Sequence, residues 1–326
     1  MITRRKFLQL GSATAAALLA RYGWAGEPPT LLPSQPRVRV GFDMPAGACD
    51  THVHVVGAAA RYPYVAKRAY TPPEAGVDDL RALHRTLHID RVVVVQPSFY
   101  GTDNSCTMDA VRSLGSGARA IVVIDEKTPE ADLDTMQRDG ARGVRLNLAT
   151  AGISDPAASA RFLKSAVARI APRGWHVQIN TEPKLIAALK QDFAALPATM
   201  VFDHFGGADA ARGVNDPGFD ALVELVKSGK AYVKISATNL FSTEPPHFAG
   251  YAAMAQALIA ANPDRILWGS NWPHPGSRPP GHDIAQLLPW RDIDDAVVLN
   301  LLPLWEPDAA VRKKILVDNP ARLFGF

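Results

Sequence analysis

The chain has 326 residues, 47% of them hydrophobic, with 35 basic and 32 acidic side chains and two cysteines. A chain of this size buries a full core, as one large domain or two. The near balance of charge excludes the concentrated basic footprint of a nucleic-acid-binding protein.

The N-terminus reads Thr3-Arg4-Arg5-Lys6-Phe7-Leu8-Gln9, followed by an apolar run from Leu10 to Ala20 and small residues at Ala25-Gly26. A charged start, an apolar run short of a bilayer span and a small-residue exit describe a cleavable export signal over residues 1–26. An uncleaved membrane anchor is the competing reading. The arginine pair before Phe7-Leu8 points to the twin-arginine route, with the export machinery as a transient partner and the periplasm as destination. Cleavage would remove four basic side chains, leaving 31 of the 35 to face 32 acidic ones. Residues 27–46 are rich in proline, lack a period, and read as a linker and lead-in.

From Gly47 a regular alternation begins, giving one domain over residues 47–326. Short apolar runs rich in β-branched residues fall at Cys49–Val55, Arg91–Gln96, Ala118–Ile124, Gly143–Leu146, His176–Ile179, Met200–His204, Tyr232–Ser236 and Arg265–Gly269. Each is the length of a strand buried on both faces. Helical patterns lie between them, among others at Asp78–His88, Pro129–Arg138, Ala157–Ala171, Pro183–Leu196, Phe219–Lys227 and Tyr251–Ala261. Gly140 and Gly174 are helix stops. Strand and helix alternating eight times predict a closed α/β (β/α)8 TIM barrel. An open doubly wound sheet is less favoured, because no glycine-rich phosphate loop follows the first strand. Pro307–Phe326 adds a helix expected to pack across the outside. Cys49 opens the first strand and Cys106 follows the far end of the second, a separation of roughly 20 Å. That is beyond disulfide reach, so both should be free thiols.

Reacting groups in such barrels sit at the carboxyl ends of the strands. The first strand ends Asp50-Thr51-His52-Val53-His54, and residues two apart on a strand point the same way. Two imidazoles directed into an interior that is normally apolar call for a chemical role, the alternative being a structural pair satisfied by neighbours. After the second strand, Ser98 and Tyr100 are candidates to hydrogen-bond a substrate carboxylate or carbonyl. Arg145, ending the fourth, suits a carboxylate or a surface ion pair. The fifth offers Gln178 and the sixth His204, a third inward histidine. The eighth delivers Asn271 and His274 to the mouth. His84 and His88 lie four apart on a helix, read as its exterior, with no role. Lys234, on the seventh strand, adds one further cation beside Arg145 if its side chain faces inward rather than outward. His247, His282 and Asp283 occupy mouth loops, where residues are more often solvated than functional.

His-x-His at 52–54, Asp203-His204-x-Gly206-Gly207, Trp268-Gly269-Ser270-Asn271-Trp272-Pro273-His274 and the closing Asn319-Pro320-Ala321-Arg322-Leu323-Phe324-Gly325 together resemble the amidohydrolase superfamily. The stretch Gln96-Pro97-Ser98 through Asn104 is similar to its lactonase branch, typified by 2-pyrone-4,6-dicarboxylate lactonase. The resemblance spans Gly47 to Phe326. It implies a hydrolase opening a lactone or related cyclic ester of a small, carboxylated or sugar-acid substrate, with His52, His54, His204 and Asn271 as catalytic residues. It departs from the pattern at Asn271, where the family places Asp, and at Gln178, where metal-dependent members supply His. His52 and His54 then remain as metal ligands with His204 as a third. The expectation is either no required cofactor or a single divalent metal such as zinc, weakly held. A neutral amide cannot take a proton from water, so three alternatives stay open. A histidine acts as base; a substrate hydroxyl attacks the lactone and the protein is a lactone isomerase; or the barrel is catalytically silent and binds sugar acids. The sequence does not fix the oligomeric state.

Overall fold

The structure, a computed structural model, describes residues 31–238, 248–276, 278–279 and 281–326. The expected export signal and His247 lie outside the described residues. Eight strands follow in chain order: β1 (Cys49–Val53), β2 (Arg91–Val95), β3 (Ala118–Val122), β4 (Ala141–Asn147), β5 (His176–Asn180), β6 (Met200–Phe202), β7 (Ala231–Lys234) and β8 (Ile266–Leu267). They pair in parallel in that same order. Closure between β8 and β1 rests on Thr51 N–H donating to the Trp268 carbonyl (3.1 Å), Asn271 N–H to His52 (2.9 Å) and His54 N–H to Trp272 (2.9 Å). The eight expected strands are all present, as a (β/α)8 barrel.

The intervening helices are α1 (Val77–Leu87), α2 (Ser105–Leu114), α3 (Glu130–Arg138), α4 (Pro156–Ile170), α5 (Pro183–Ala195), α6 (Pro217–Lys227) and α7 (Phe248–Ala261). Local chemistry starts them. Pro156 and Pro217 stand at the first helical position, preceded by Asp155 and Asp216, whose carboxylates accept N–H bonds from Ala158 and from Gly218 and Phe219. Gly174, in the left-handed region at φ 67°, follows the turn that ends α4, as the sequence reading expects.

Three departures have physical reasons. The described part of the lead-in is not a free linker. Arg37 pairs with Asp292 (2.7 Å), its N–H donates to Asp294 (2.9 Å), and the Ser34 carbonyl accepts the Trp272 indole N–H (3.2 Å). Two short helices absent from the sequence reading, α8 (Asp295–Leu299) and α9 (Leu302–Trp305), lie beyond the segment it straps. Finally, the chain end, α10 (Ala309–Lys313), a π-turn and α11 (Asn319–Phe324), does not simply cross the outside. Phe324 is fully buried against Cys49, Val93, Ile121, Val201 and Leu267 and sits edge-on to His176 with ring centroids 5.3 Å apart, plugging the barrel. Asn319 fixes that end by donating to the Pro263 and Ile266 carbonyls, both at 2.8 Å. Cys49 and Cys106 are free and buried, as expected.

Candidate active site

The site begins with how β1 presents its histidines. Its pairing with β2 shifts register between Asp50 and Val53, and the Asp50 carboxylate pins the irregular segment by accepting the N–H groups of His52 (3.1 Å) and Ser270 (3.0 Å). Gly269 lets β8 come this close. A Cβ there would stand 2.8 Å from the His52 Cβ and 2.9 Å from its backbone nitrogen. Asn271 follows at φ 66°, a left-handed conformation that asparagine tolerates better than most residues.

His52, His54 and His204 converge. The ring centroids are 5.0 Å apart for His52 and His54 and 4.6 Å for His52 and His204. The His54 Nδ1 lies 2.7 Å from the Val95 carbonyl. A carbonyl only accepts, so Nδ1 carries the proton, and the neutral ring keeps its lone pair on Nε2. The His204 Nδ1 meets the Ser236 hydroxyl at 2.9 Å. His52 directs Nδ1 to Asp203 (3.2 Å), while its Nε2 is buried without a partner.

Asp203, not a sequence candidate, and Lys234, whose direction the sequence left open, organise the floor. One Asp203 oxygen takes the Arg145 Nε and Nη2, both at 3.1 Å. The other faces the Lys234 Nζ at 3.7 Å. Lys234 is fully buried rather than outward-facing, because it alternates with Tyr232 on the inward face of β7; its ammonium donates to Gln178 Oε1 (2.7 Å) and the Thr51 carbonyl (2.8 Å). Burial pulls the Lys234 amine down to about 8. Burial also lowers the imidazoles, His54 to about 3 and His204 to about 4, with the Arg145 charge adding to the effect at both. Burial opposes ionisation of Asp203, but His52, Arg145 and Lys234 more than offset it and hold the carboxyl well below the usual carboxylate range. At neutral pH the floor thus combines neutral imidazoles, the Asp203 carboxylate and the Arg145 and Lys234 cations, with the Asp50 carboxylate behind His52.

The remaining candidates divide. Asn271 is buried at the mouth with its amide nitrogen unpartnered, and Gln178 is likewise buried with Nε2 free. Arg145 is at the site, but its guanidinium is engaged by Asp203 and reaches the Gln96 carbonyl at 3.4 Å. Ser98 is half-buried in a short turn. The Tyr100 hydroxyl is spent on the Gly57 N–H (3.2 Å), its ring packed on Phe99 and Tyr64. His274 Nε2 pairs with Asp295 of α8 at 2.9 Å, both fully buried. His84 is buried rather than exterior, its Nε2 3.5 Å from Asp50, because α1 turns that side toward β1. His282 meets the Gln286 carbonyl of its own loop at 3.3 Å.

For a metal, the group that forms among the described residues is His52, Asp203 and His204, with one ligand atom from each within 4.8 Å of the others. By spacing these could hold one divalent ion. His54 is outside that group, and Asp203, which the sequence reading did not consider as a ligand, is inside it.

A parallel eight-stranded barrel with imidazoles, a carboxylate and buried cations gathered at one set of strand ends is the architecture of a barrel hydrolase. The amidohydrolase family matches residues 49–326, and the chain belongs to that family. It is 35% identical over 301 residues to 4-sulfomuconolactone hydrolase of Rhizobium radiobacter, covering 92% of this chain and 97% of that protein. It is 33% identical to 2-pyrone-4,6-dicarboxylate hydrolase of Comamonas testosteroni, covering 90% and 93%. It is 30% identical to D-galactarolactone isomerase of Agrobacterium fabrum, covering 86% and 91%. The apo crystal structure of an Agrobacterium tumefaciens protein matches with a TM-score of 0.73 and 28% identity, covering 89% of this chain and 98% of that one.

Proposed function

We propose that the protein is a lactonase, adding water across the ester of a small lactone that carries an anionic group. The observation that carries this reading is His54. Its Nδ1–H is committed to Val95, so Nε2 is an unprotonated base at neutral pH beside His52 and His204. In the reaction, water attacks the lactone carbonyl carbon and passes a proton to His54 Nε2. The oxyanion is stabilised by the buried Arg145 and Lys234 cations. Collapse breaks the ring carbon–oxygen bond, and the imidazolium returns the proton to the leaving alkoxide, giving a hydroxy acid. Asn271, its amide N–H free, orients the nucleophile. The names of the hydrolase relatives, one of a sulfonated and one of a dicarboxylated substrate, support a lactone with an anionic substituent. Arg145 is already paired with Asp203, which favours one anionic group rather than two.

Asn271 also supports a second reading, lactone isomerisation, in which the substrate's own hydroxyl attacks and no water is activated; the isomerase relative is consistent with it. Turnover of a lactone panel in 18O-labelled water separates the two. Hydrolysis places one solvent oxygen in the product carboxylate, whereas label-free product with an isomeric ring overturns the lactonase reading. For location, the Arg4-Arg5 pair and the apolar run after it support twin-arginine export to the periplasm. Replacing both arginines by lysine and fractionating the cells should leave the protein in the cytoplasm; unchanged periplasmic recovery refutes the route.

A further inference from the structure

We propose that the Lys234 ammonium is the built-in cation of this site, taking from His52 and Asp203 the coordination that a divalent ion would otherwise draw from them. Around the single Nζ stand three oxygens and the His52 imidazole. They are Gln178 Oε1 at 2.7 Å, the Thr51 carbonyl at 2.8 Å, His52 Nδ1 at 3.3 Å and Asp203 Oδ1 at 3.7 Å. They come from β1, β5 and the end of β6, and the lysine enters from β7, so the ammonium ties four sectors of the barrel at one point. Two of the oxygens accept hydrogen bonds from the ammonium and the third is anionic, and such a shell closing on one fully buried positive charge is a cation site.

The same contacts exclude a second cation. His52 and Asp203 are two of the three residues spaced to hold a metal, and both already face the ammonium. An ion bound to them would lie beside a fixed like charge with little water to screen it. The second Asp203 oxygen is taken by Arg145. The carboxylate charge is therefore matched by lysine and arginine, and the imidazoles are left for proton transfer. Lys234 is a positioning residue here, and the assignment holds whichever lactone is the substrate.

The test is cobalt(II) titration of the chelator-stripped protein at neutral pH, read by the visible ligand-field absorption and by metal content after gel filtration. The wild type should retain no stoichiometric cobalt. Lys234→Met removes the charge at similar length and should bind one equivalent at least about tenfold more tightly; Asp203→Asn added to it should abolish the gain. Circular dichroism establishes that the variants are folded, and Lys234→Gln serves if the methionine does not fold. Stoichiometric cobalt in the wild type overturns the proposal without any variant, as does a folded charge-free variant whose cobalt affinity is unchanged.

Discussion

Replacing Asp203 with asparagine keeps the shape of the side chain and removes the negative charge that faces Arg145 and Lys234. Two cations depend on it: Arg145, with two nitrogens at 3.1 Å, and Lys234, at 3.7 Å. At an effective dielectric of 20, unit charges this far apart attract by roughly 4 kcal/mol per pair, most of which offsets the penalty of burying them. Removing one partner of such a buried cluster leaves the others uncompensated, at about 3–5 kcal/mol of lost stability. For a domain of this size that is a fall in Tm of roughly 6–10 °C, at about 2 °C per kcal/mol. The pH dependence follows from the sign of the shift. The folded carboxyl titrates well below its unfolded value. Its contribution is therefore complete above about pH 4 and fades as the pH drops further. Urea unfolding of wild type and Asp203→Asn at pH 7 and pH 3, with chelator present, measures both quantities. Adding Lys234→Met should restore at least about 1 kcal/mol, the coupling expected of groups in one network. A pH 7 loss below about 1 kcal/mol, or strict additivity in the double variant, would show that the cluster behaves like an exposed ion pair and that the reasoning is wrong.

Three further outcomes follow from the same geometry. His54→Ala should lower kcat by about 10²–10⁴-fold, the usual worth of a positioned base, with KM changed only a few-fold; steady-state kinetics on a responsive lactone check this, and a loss under tenfold removes His54 from the role. Because His54 and His204 titrate at about 3 and about 4, kcat/KM should stay flat from about pH 7 down to about pH 5, with an alkaline limb near 8 as Lys234 loses its charge; an acid limb centred near 6.5, the unperturbed imidazole value, contradicts it. Phe324→Ala, emptying a fully buried ring from the barrel's plug, should destabilise by about 3–5 kcal/mol in chemical denaturation while leaving KM unchanged, since the plug and the histidines occupy different levels of the barrel.

What the sequence reveals here depends on whether a residue's role is set by its own strand or by its neighbours. Each barrel strand is a short β-branched run between helix signals, so a period visible along the chain specifies all eight, and His52 and His54 fall two apart at the end of one strand, where the irregularity after Asp50 presents them to the site. Asp203 and Lys234 are different. Asp203 stands in plain view beside His204, yet its importance comes from Arg145 on β4 and Lys234 on β7, partners that only barrel closure brings within reach. Lys234 reads as a surface lysine, because burying a lone ammonium is unfavourable; the compensating oxygens of Thr51 and Gln178 sit far away in sequence. Tyr100 errs the other way. A tyrosine in a mouth loop looks like a substrate contact, but the turn beginning at Ser98 and the apolar faces of Phe99 and Tyr64 draw the ring inward, where Gly57 meets the hydroxyl. The alternation of Tyr232 and Lys234 on β7, continued by Ser236 just past it, was the available signal for the missing cation. It gives weight to a general inference for such barrels: a charged residue in phase with the inward-facing positions of a strand is to be placed inside, and its counter-charge sought at the ends of the other strands.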